Sequence, residues 1–257
     1  MSLPNHLKQP FMIYPVIKRV LDVVCAVIGI VGTSPLWLLA IVGILVSDWG
    51  PLFYTAHRIG RGNRPFKMYK FRSMRVLRQS RAGAEASLRP EADRIFPFGN
   101  FIRKVKIDEL PQLLNILNGT MSIVGPRPVA QDQFDMFRYR PGVERSADED
   151  ETMKRLDAAA AVPVGLSGPA ALYDFIYGDH ITDESEYMQK VYPTRRELEY
   201  IYVQKASLGY DCKMVLYTVI CILYALVGKE ATWILRELLA DARRSCPQLD
   251  VMPKEIE

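Results

Sequence analysis

The longest uninterrupted apolar stretch runs from Val23 to Val46, 24 residues without a charge. As one straight helix it would extend roughly 36 Å, longer than a bilayer core of about 30 Å. A plain spanning anchor is therefore one reading. Two features point instead to a segment that enters and leaves on one face. Lys18 and Arg19 precede it, and nine Lys/Arg with no acid lie between Trp49 and Ala84. A spanning helix would put one of these basic flanks on the outer side, against the positive-inside tendency. The middle is also broken, because Gly29 and Gly32 lead into Thr33-Ser34-Pro35. Pro35 lacks an N–H and clashes with the preceding turn, and nearby Thr33 and Ser34 hydroxyls can satisfy the freed carbonyls. The pattern predicts a re-entrant helix-break-helix hairpin over residues 18–48, broken at Ser34 and Pro35. At its start, Asp22 has the spacing to pair with Lys18 and Arg19. The alternative for Lys18 and Arg19 is contact with anionic lipid headgroups or a lipid phosphate.

Beyond the hairpin the pattern changes. Phe53–Tyr54 and Phe66–Phe71 read as short strands about the turn Gly60-Arg61-Gly62-Asn63. Ile107 to Leu117 reads as one helix, opened by Asp108 or Glu109, lined by Leu110, Leu113, Leu114 and Leu117, and closed by Asn118-Gly119. Residues 79–93 are small and polar, 144–157 charge-rich, and Gly165–Gly168 a turn. Glu186–Ser207 is amphipathic and Tyr-rich. The apolar run Met214–Val227 is short for a span and suits a core or interfacial helix. Its apolar face also leaves homo-oligomer formation open. Thr232–Arg244 sets Ile234, Leu235, Leu238, Leu239 and Ala242 opposite Arg236, Arg243 and Arg244, a face for a membrane surface or for the domain itself.

Composition narrows the class. With 49% apolar and 24% charged residues, the chain is neither a disordered tail nor a polytopic membrane protein. Cys25, Cys212, Cys221 and Cys246 show no CxxC spacing, which excludes a zinc ribbon and suits reduced thiols. There is no internal repeat and no signal peptide with a cleavage site. The 33 Lys+Arg against 29 Asp+Glu leave a net charge of +4. No nucleic-acid motif accompanies that excess, and an apolar segment upstream favours anionic lipid or a phosphate substrate over nucleic acid.

The candidate chemistry lies in RKVKIDELPQLLNILNGTMSIVGPRP, Arg103 to Pro128. Arg103, Lys104 and Lys106 precede the adjacent acids Asp108-Glu109, and Arg127 follows in the rigid Gly125-Pro126-Arg127-Pro128. Adjacent acids opening a helix are commonly an N-cap and a dipole partner. Flanking cations support another role. An Asp that stays ionised there can attack phosphorus and form an acyl phosphate. The neighbouring acid could hold Mg²⁺ against a diphosphate, with Arg103 and Arg127 clamping phosphate oxygens.

Lys18-Arg19-x-x-Asp22, the Ser34-Pro35 break, HRIGRGNRPFKMYKFRSM (His57–Met74), the Asp93–Pro128 stretch and DCKMVLYTV (Asp211–Val219) resemble the bacterial sugar transferase family, the monotopic polyprenyl-phosphate phosphoglycosyltransferases. The resemblance runs from about Lys18 to Gly228. It implies a mainly α protein with short β-strands, a re-entrant membrane hairpin and a catalytic domain on the cytosolic face of the bacterial inner membrane. The implied reaction moves a sugar 1-phosphate from a UDP-sugar to undecaprenyl phosphate, releases UMP, uses Mg²⁺ and passes through a phosphosugar on aspartate. Residue by residue, the resemblance makes Asp108 the nucleophile and Glu109 its metal or phosphate partner. It matches Arg103 and Arg127 to phosphate-binding arginines and places Lys70 and Arg72 on the same basic surface.

The chain departs from the family at Val162–Gly168. Gly165 and Gly168 of the usual Pro-Gly-Ile-Thr-Gly loop are present, but no Gly-Arg follows. Residues near 79–92 and 144–160 are read as insertions. With no multi-pass domain before the core, the chain is expected to be a minimal form: an arm (1–17), the hairpin (18–48), a catalytic domain (49–228) and a C-terminal amphipathic helix and tail (229–257). The rival functions are a non-catalytic membrane scaffold, in which the acids only cap a helix, and a glycosyltransferase that releases UDP. The chain is expected to initiate a surface polysaccharide or glycoconjugate, and the nucleotide product, UMP or UDP, separates the readings.

Overall fold

The computed structural model describes residues 13–76, 94–131, 134, 147–181, 183, 186–187 and 191–246. The expected arm before residue 13, the 79–92 insertion and the tail after 246 lie outside the described residues. Helices α1 (Ile13–Gly32) and α2 (Ser34–Ser47) are followed by β1 (Phe53–Ile59) and β2 (Pro65–Phe71). Then come α3 (Pro97–Lys104), a 3-10 turn (Ile107–Glu109), α4 (Gln112–Leu117), β3 (Ser122–Val124) and β4 (Val129–Ala130). The chain continues through α5 (Ala147–Ala160), β5 (Gly165–Ser167), α6 (Pro169–Ile176), a 3-10 turn (Gly178–His180), α7 (Tyr192–Lys205), α8 (Leu208–Leu226) and α9 (Thr232–Ser245). Helices dominate, and the strands are short.

The break between α1 and α2 bends the chain by 58°, a wide V rather than two arms side by side. Thr33 Oγ1 donates to the Gly29 carbonyl at 2.6 Å and Ser34 Oγ to that of Val31 at 2.8 Å, so the hydroxyls take up carbonyls at the kink. Ala26 packs with Leu113 and Ile116 of α4, and Ala40 and Ile44 pack with Phe71, Phe96 and Ile102. The V is therefore joined to the domain along both arms. Its other side stays bare, with Val20, Val24, Val27, Ile28, Val31, Leu38, Val42 and Val46 all exposed.

Helix α8 is longer than the run Met214–Val227 suggested, because its first turn starts at Leu208 with the Ser207 side chain accepting from the Tyr210 amide. At 19 residues it is long and apolar enough to cross a membrane by length and composition, as is the bent α1–α2 pair taken as one span. Leu216, Val219, Leu223 and Leu226 are exposed along it.

The largest core cluster gathers Leu198, Ile201 and Tyr202 of α7, Leu172 and Tyr173 of α6, Met214 of α8, and Ile234, Leu235, Leu238 and Leu239 of α9. The apolar face of α9 is thus spent on the domain, not on a membrane surface. Helix α7 is buried on nearly every side, Arg195, Arg196, Glu197 and Glu199 included. These charges survive burial by pairing: Arg195 and Arg196 with Glu199, and Arg155 with Glu197. Strands β2, β1 and β4 form one antiparallel sheet, and β3 pairs in parallel with β5.

Candidate active site

The expected single helix over 107–117 is divided. Lys106 adopts a left-handed conformation (φ 57°), which ends the approach from α3 and throws Ile107–Glu109 into one 3-10 turn before α4 begins at Gln112. A non-glycine residue in that region is strained, and its place beside the acid pair is where such strain tends to be retained. Asp108 is not an N-cap: neither the turn nor α4 receives a side-chain cap bond. Ile107 packs into the cluster of Phe71, Phe96 and Ile102, which pins the turn and buries Asp108 at 6% exposure.

Lys70 of β2 reaches across to this turn. Its Nζ lies 2.9 Å from Glu109 Oε1 and 4.0 Å from Asp108 Oδ2. The two acids therefore differ sharply. Burial would raise the Glu109 pKa, but Lys70, Lys106 and Arg127 outweigh it and hold the group far below the ordinary range. Burial, and then the Glu109 charge, push Asp108 the other way, from 3.8 up to about 6. An aspartate at a helix start was expected to be firmly ionised; here it loses its proton only as the pH rises through about 6. Asp108 Oδ1 is buried and receives no hydrogen bond, so that oxygen is held without a competing donor.

Both acids line a cleft of about 1070 Å³ together with Lys70, Arg103, Lys106, Arg127, Phe175 and His180. Arg103 sits exposed on α3 at its rim. Lys106 Nζ stands 5.0 Å from the Phe175 ring centroid. Arg127 is held at Nε by Asp174 Oδ2 at 3.0 Å, and Asp174, 2% exposed, is also met by Arg195 Nε at 3.6 Å. Asp174 escaped the sequence reading. Its signal was an acid inside the apolar run of α6, which demands a buried cation.

The loop carrying Arg127 is set by backbone contact. The Gly125 amide donates to the Ser167 carbonyl at 2.9 Å and the Gly165 amide to the Pro126 carbonyl at 2.8 Å. A Cβ on Gly165 would lie 2.1 Å from the Gly125 nitrogen. That close approach accounts for glycine at 165 even though the surrounding motif departs from the usual one.

Three expected site residues are engaged elsewhere. Arg72 borders the cleft, but its Nε donates to the Pro51 carbonyl at 2.6 Å and its two terminal nitrogens go to the carboxylate and carbonyl of Asp48. It ties β2 to the end of α2. Lys18 is buried against Asp211 at 2.8 Å, with Asp22 farther off at 4.0 Å. Arg19 donates to the carbonyls of Ile116 and Leu117, at the last turn of α4, and not to Asp22. Both cations are thus committed to partners within the protein.

Residues 13–225 match the profile of the bacterial sugar transferase family. The chain belongs to that family. Among similar members are a UDP-N-acetylgalactosamine-undecaprenyl-phosphate N-acetylgalactosaminephosphotransferase from Aeromonas hydrophila, 40% identical over 58% of this chain and 39% of that one. A putative undecaprenyl-phosphate N-acetylgalactosaminyl 1-phosphate transferase from Bacillus subtilis is 38% identical over 56% of this chain and 80% of its own. A UDP-glucose:undecaprenyl-phosphate glucose-1-phosphate transferase from Xanthomonas campestris is 33% identical over 82% of this chain and 39% of that one. The match thus spans well under half the length of the Aeromonas and Xanthomonas relatives.

Among the described residues no group of three or more His, Cys, Asp or Glu is placed to enclose a metal. Asp108 and Glu109 offer two carboxylates, and Oδ1 of Asp108 lacks a partner. That donor set does not make a protein cage, but it fits Mg²⁺, which keeps its waters and takes its remaining ligands from substrate phosphates.

Proposed function

We propose that this family member transfers a sugar 1-phosphate from a UDP-sugar to a polyprenyl phosphate such as undecaprenyl phosphate, releasing UMP, at the cytosolic face of a bacterial inner membrane. The observation that carries the reading is the buried Asp108, with an unpartnered Oδ1 in a cleft lined by Lys70, Arg103, Lys106 and Arg127. An Asp108 oxygen bonds to the sugar-bearing phosphorus, the bridging P–O bond breaks, and UMP leaves with the electron pair. An acceptor phosphate oxygen then attacks the same phosphorus, and the Asp108 carboxylate is released. Arg127, steadied by Asp174, and Arg103 at the rim hold the diphosphate, while Lys70 keeps Glu109 charged. Asp108 and Glu109 would hold Mg²⁺, which when bound neutralises diphosphate charge. The bare sides of α1, α2 and α8 support a bilayer setting, with α1–α2 re-entering and α8 lying at the surface, because apolar patches of this extent are rare on soluble monomers.

Asp108→Asn should abolish UMP release from UDP-N-acetylgalactosamine and UDP-glucose, the donors in the relatives' names, and abolish capture of a phosphosugar adduct by mass spectrometry. Full activity in the variant would end the assignment, and UDP as the product would replace it with conventional glycosyl transfer.

A further inference from the structure

The cleft has a second wall whose chemistry the phosphate site does not use. Where α2 ends, the chain passes through Trp49 and Pro51 into Phe53 and Tyr54, and the side chains of Trp49, Phe53 and Tyr54 are 85%, 46% and 56% exposed. Pro51, Phe53 and Tyr54 line the same cleft as Asp108. In the β1–β2 register Tyr54 stands directly opposite Lys70, so the two side chains are close neighbours on one face of the sheet. The segment is also held in place. Arg72 binds Asp48 and the Pro51 carbonyl, the Arg72 amide donates to the Leu52 carbonyl at 2.8 Å, and Phe53 stacks on Phe71 at 5.4 Å.

Exposed aromatics on an edge fixed this firmly have not been left out of a core by chance. Along the chain they follow the bare Val42 and Val46 of α2, and across the strand pair Tyr54 meets Lys70, 2.9 Å from Glu109. We propose that Tyr54, with Trp49 and Phe53 beside it on the segment leaving α2, forms the threshold for the polyprenyl phosphate acceptor, its first isoprene units lying on the Tyr54 ring while Lys70 receives its phosphate. This rests on the phosphotransfer reading and adds where the acceptor runs. The occupant must be anionic at one end and hydrocarbon at the other, and the chain offers both in order: the aliphatic α2, then Trp49, Phe53 and Tyr54, then Lys70 across the strand pair. Tyr and Trp suit the step from water to lipid because each pairs a broad apolar ring with a polar edge.

The test uses the full chain in phosphatidylglycerol and phosphatidylethanolamine vesicles, with a diazirine placed on the first isoprene units of undecaprenyl phosphate. Photolabel is expected on Trp49–Tyr54 and to be displaced by unlabelled undecaprenyl phosphate but not by added phosphatidylglycerol. Equal displacement by both, or label only elsewhere, overturns the proposal, since the rings would then meet bulk lipid. This arm needs no turnover, so it stands apart from the fate of Asp108. In turnover, Tyr54→Ser should raise KM for undecaprenyl phosphate by roughly threefold to tenfold, the worth of one aromatic contact. KM for the UDP-sugar should hold, Tyr54→Phe should restore most of the acceptor affinity, and a two-isoprene acceptor phosphate should be affected less. A rise in the donor KM instead would assign Tyr54 to the nucleotide and overturn the proposal.

Discussion

At the scale of single residues, the ionisation of Asp108 costs stability. Asp108 is ionised against its surroundings: burial and then Glu109 raise its pKa from 3.8 to about 6. Below pH 3.8 the group is protonated in folded and unfolded chains alike and costs nothing. As the pH climbs through about 6 the folded state must give up a proton that the unfolded state released earlier, and stability falls. Asp108→Asn removes that loss. In magnesium-free buffer the variant should therefore be more stable than the parent above pH 6, on the order of 2 kcal/mol, with the gain shrinking toward nothing near pH 4. Denaturant unfolding at several pH values measures it; an equal or lower stability at pH 8 would mean that Asp108 is not under strain. The candidacy of this residue was legible because its cations are near in sequence: Arg103, Lys104 and Lys106 all fall within five positions. The true use of Arg72 was not, because it lies in a run of basic residues that look alike until one finds Asp48.

At the scale of elements, sequence pattern located pieces better than it joined them. The two strands about Gly60–Asn63, the break at Ser34-Pro35 and the helix from Thr232 were visible from periodicity and from Gly and Pro. The 107–117 segment was misread as one helix because its leucine spacing is helical, whereas the left-handed Lys106 and the following Pro111 divide it into a 3-10 turn and α4. Gly165–Gly168 was read as a turn because a three-residue parallel strand has no alternation to detect. Its pairing with β3 is what fixes the Arg127 loop. Gly165→Ala would drive a methyl into the Gly125 backbone, which cannot move without shifting Pro126 and Arg127. The variant should lose about 2 kcal/mol of stability, and its KM for the UDP-sugar should rise more than kcat falls. A variant with parental melting temperature and unchanged KM would show that β3–β5 packing does not position Arg127.

At the scale of the whole molecule, the α1–α2 V and the elements that follow it are joined by a buried polar hub that no local pattern reveals. Asp211, at the start of α8, receives Lys18 Nζ at 2.8 Å, Tyr14 at 2.8 Å and Tyr202 at 2.9 Å. The Tyr202 hydroxyl also lies 3.0 Å from the Val124 carbonyl, and Asp22 takes the Ile123 amide at 2.9 Å. Helices α1, α7 and α8 thus converge on β3, three residues ahead of Arg127. The partners are 193 positions apart, while Asp22 offered Lys18 a nearer and apparently sufficient acid. Removing the cation leaves the Asp211 charge buried with hydroxyls alone, so Lys18→Met should cost about 3 kcal/mol. Adding Asp211→Asn to the same chain should recover most of that, because the stranded charge goes with it. Thermal unfolding in detergent micelles reads both variants. If Lys18 served lipid headgroups instead, Lys18→Met would melt like the parent and bind anionic vesicles less tightly, and the second substitution would rescue nothing.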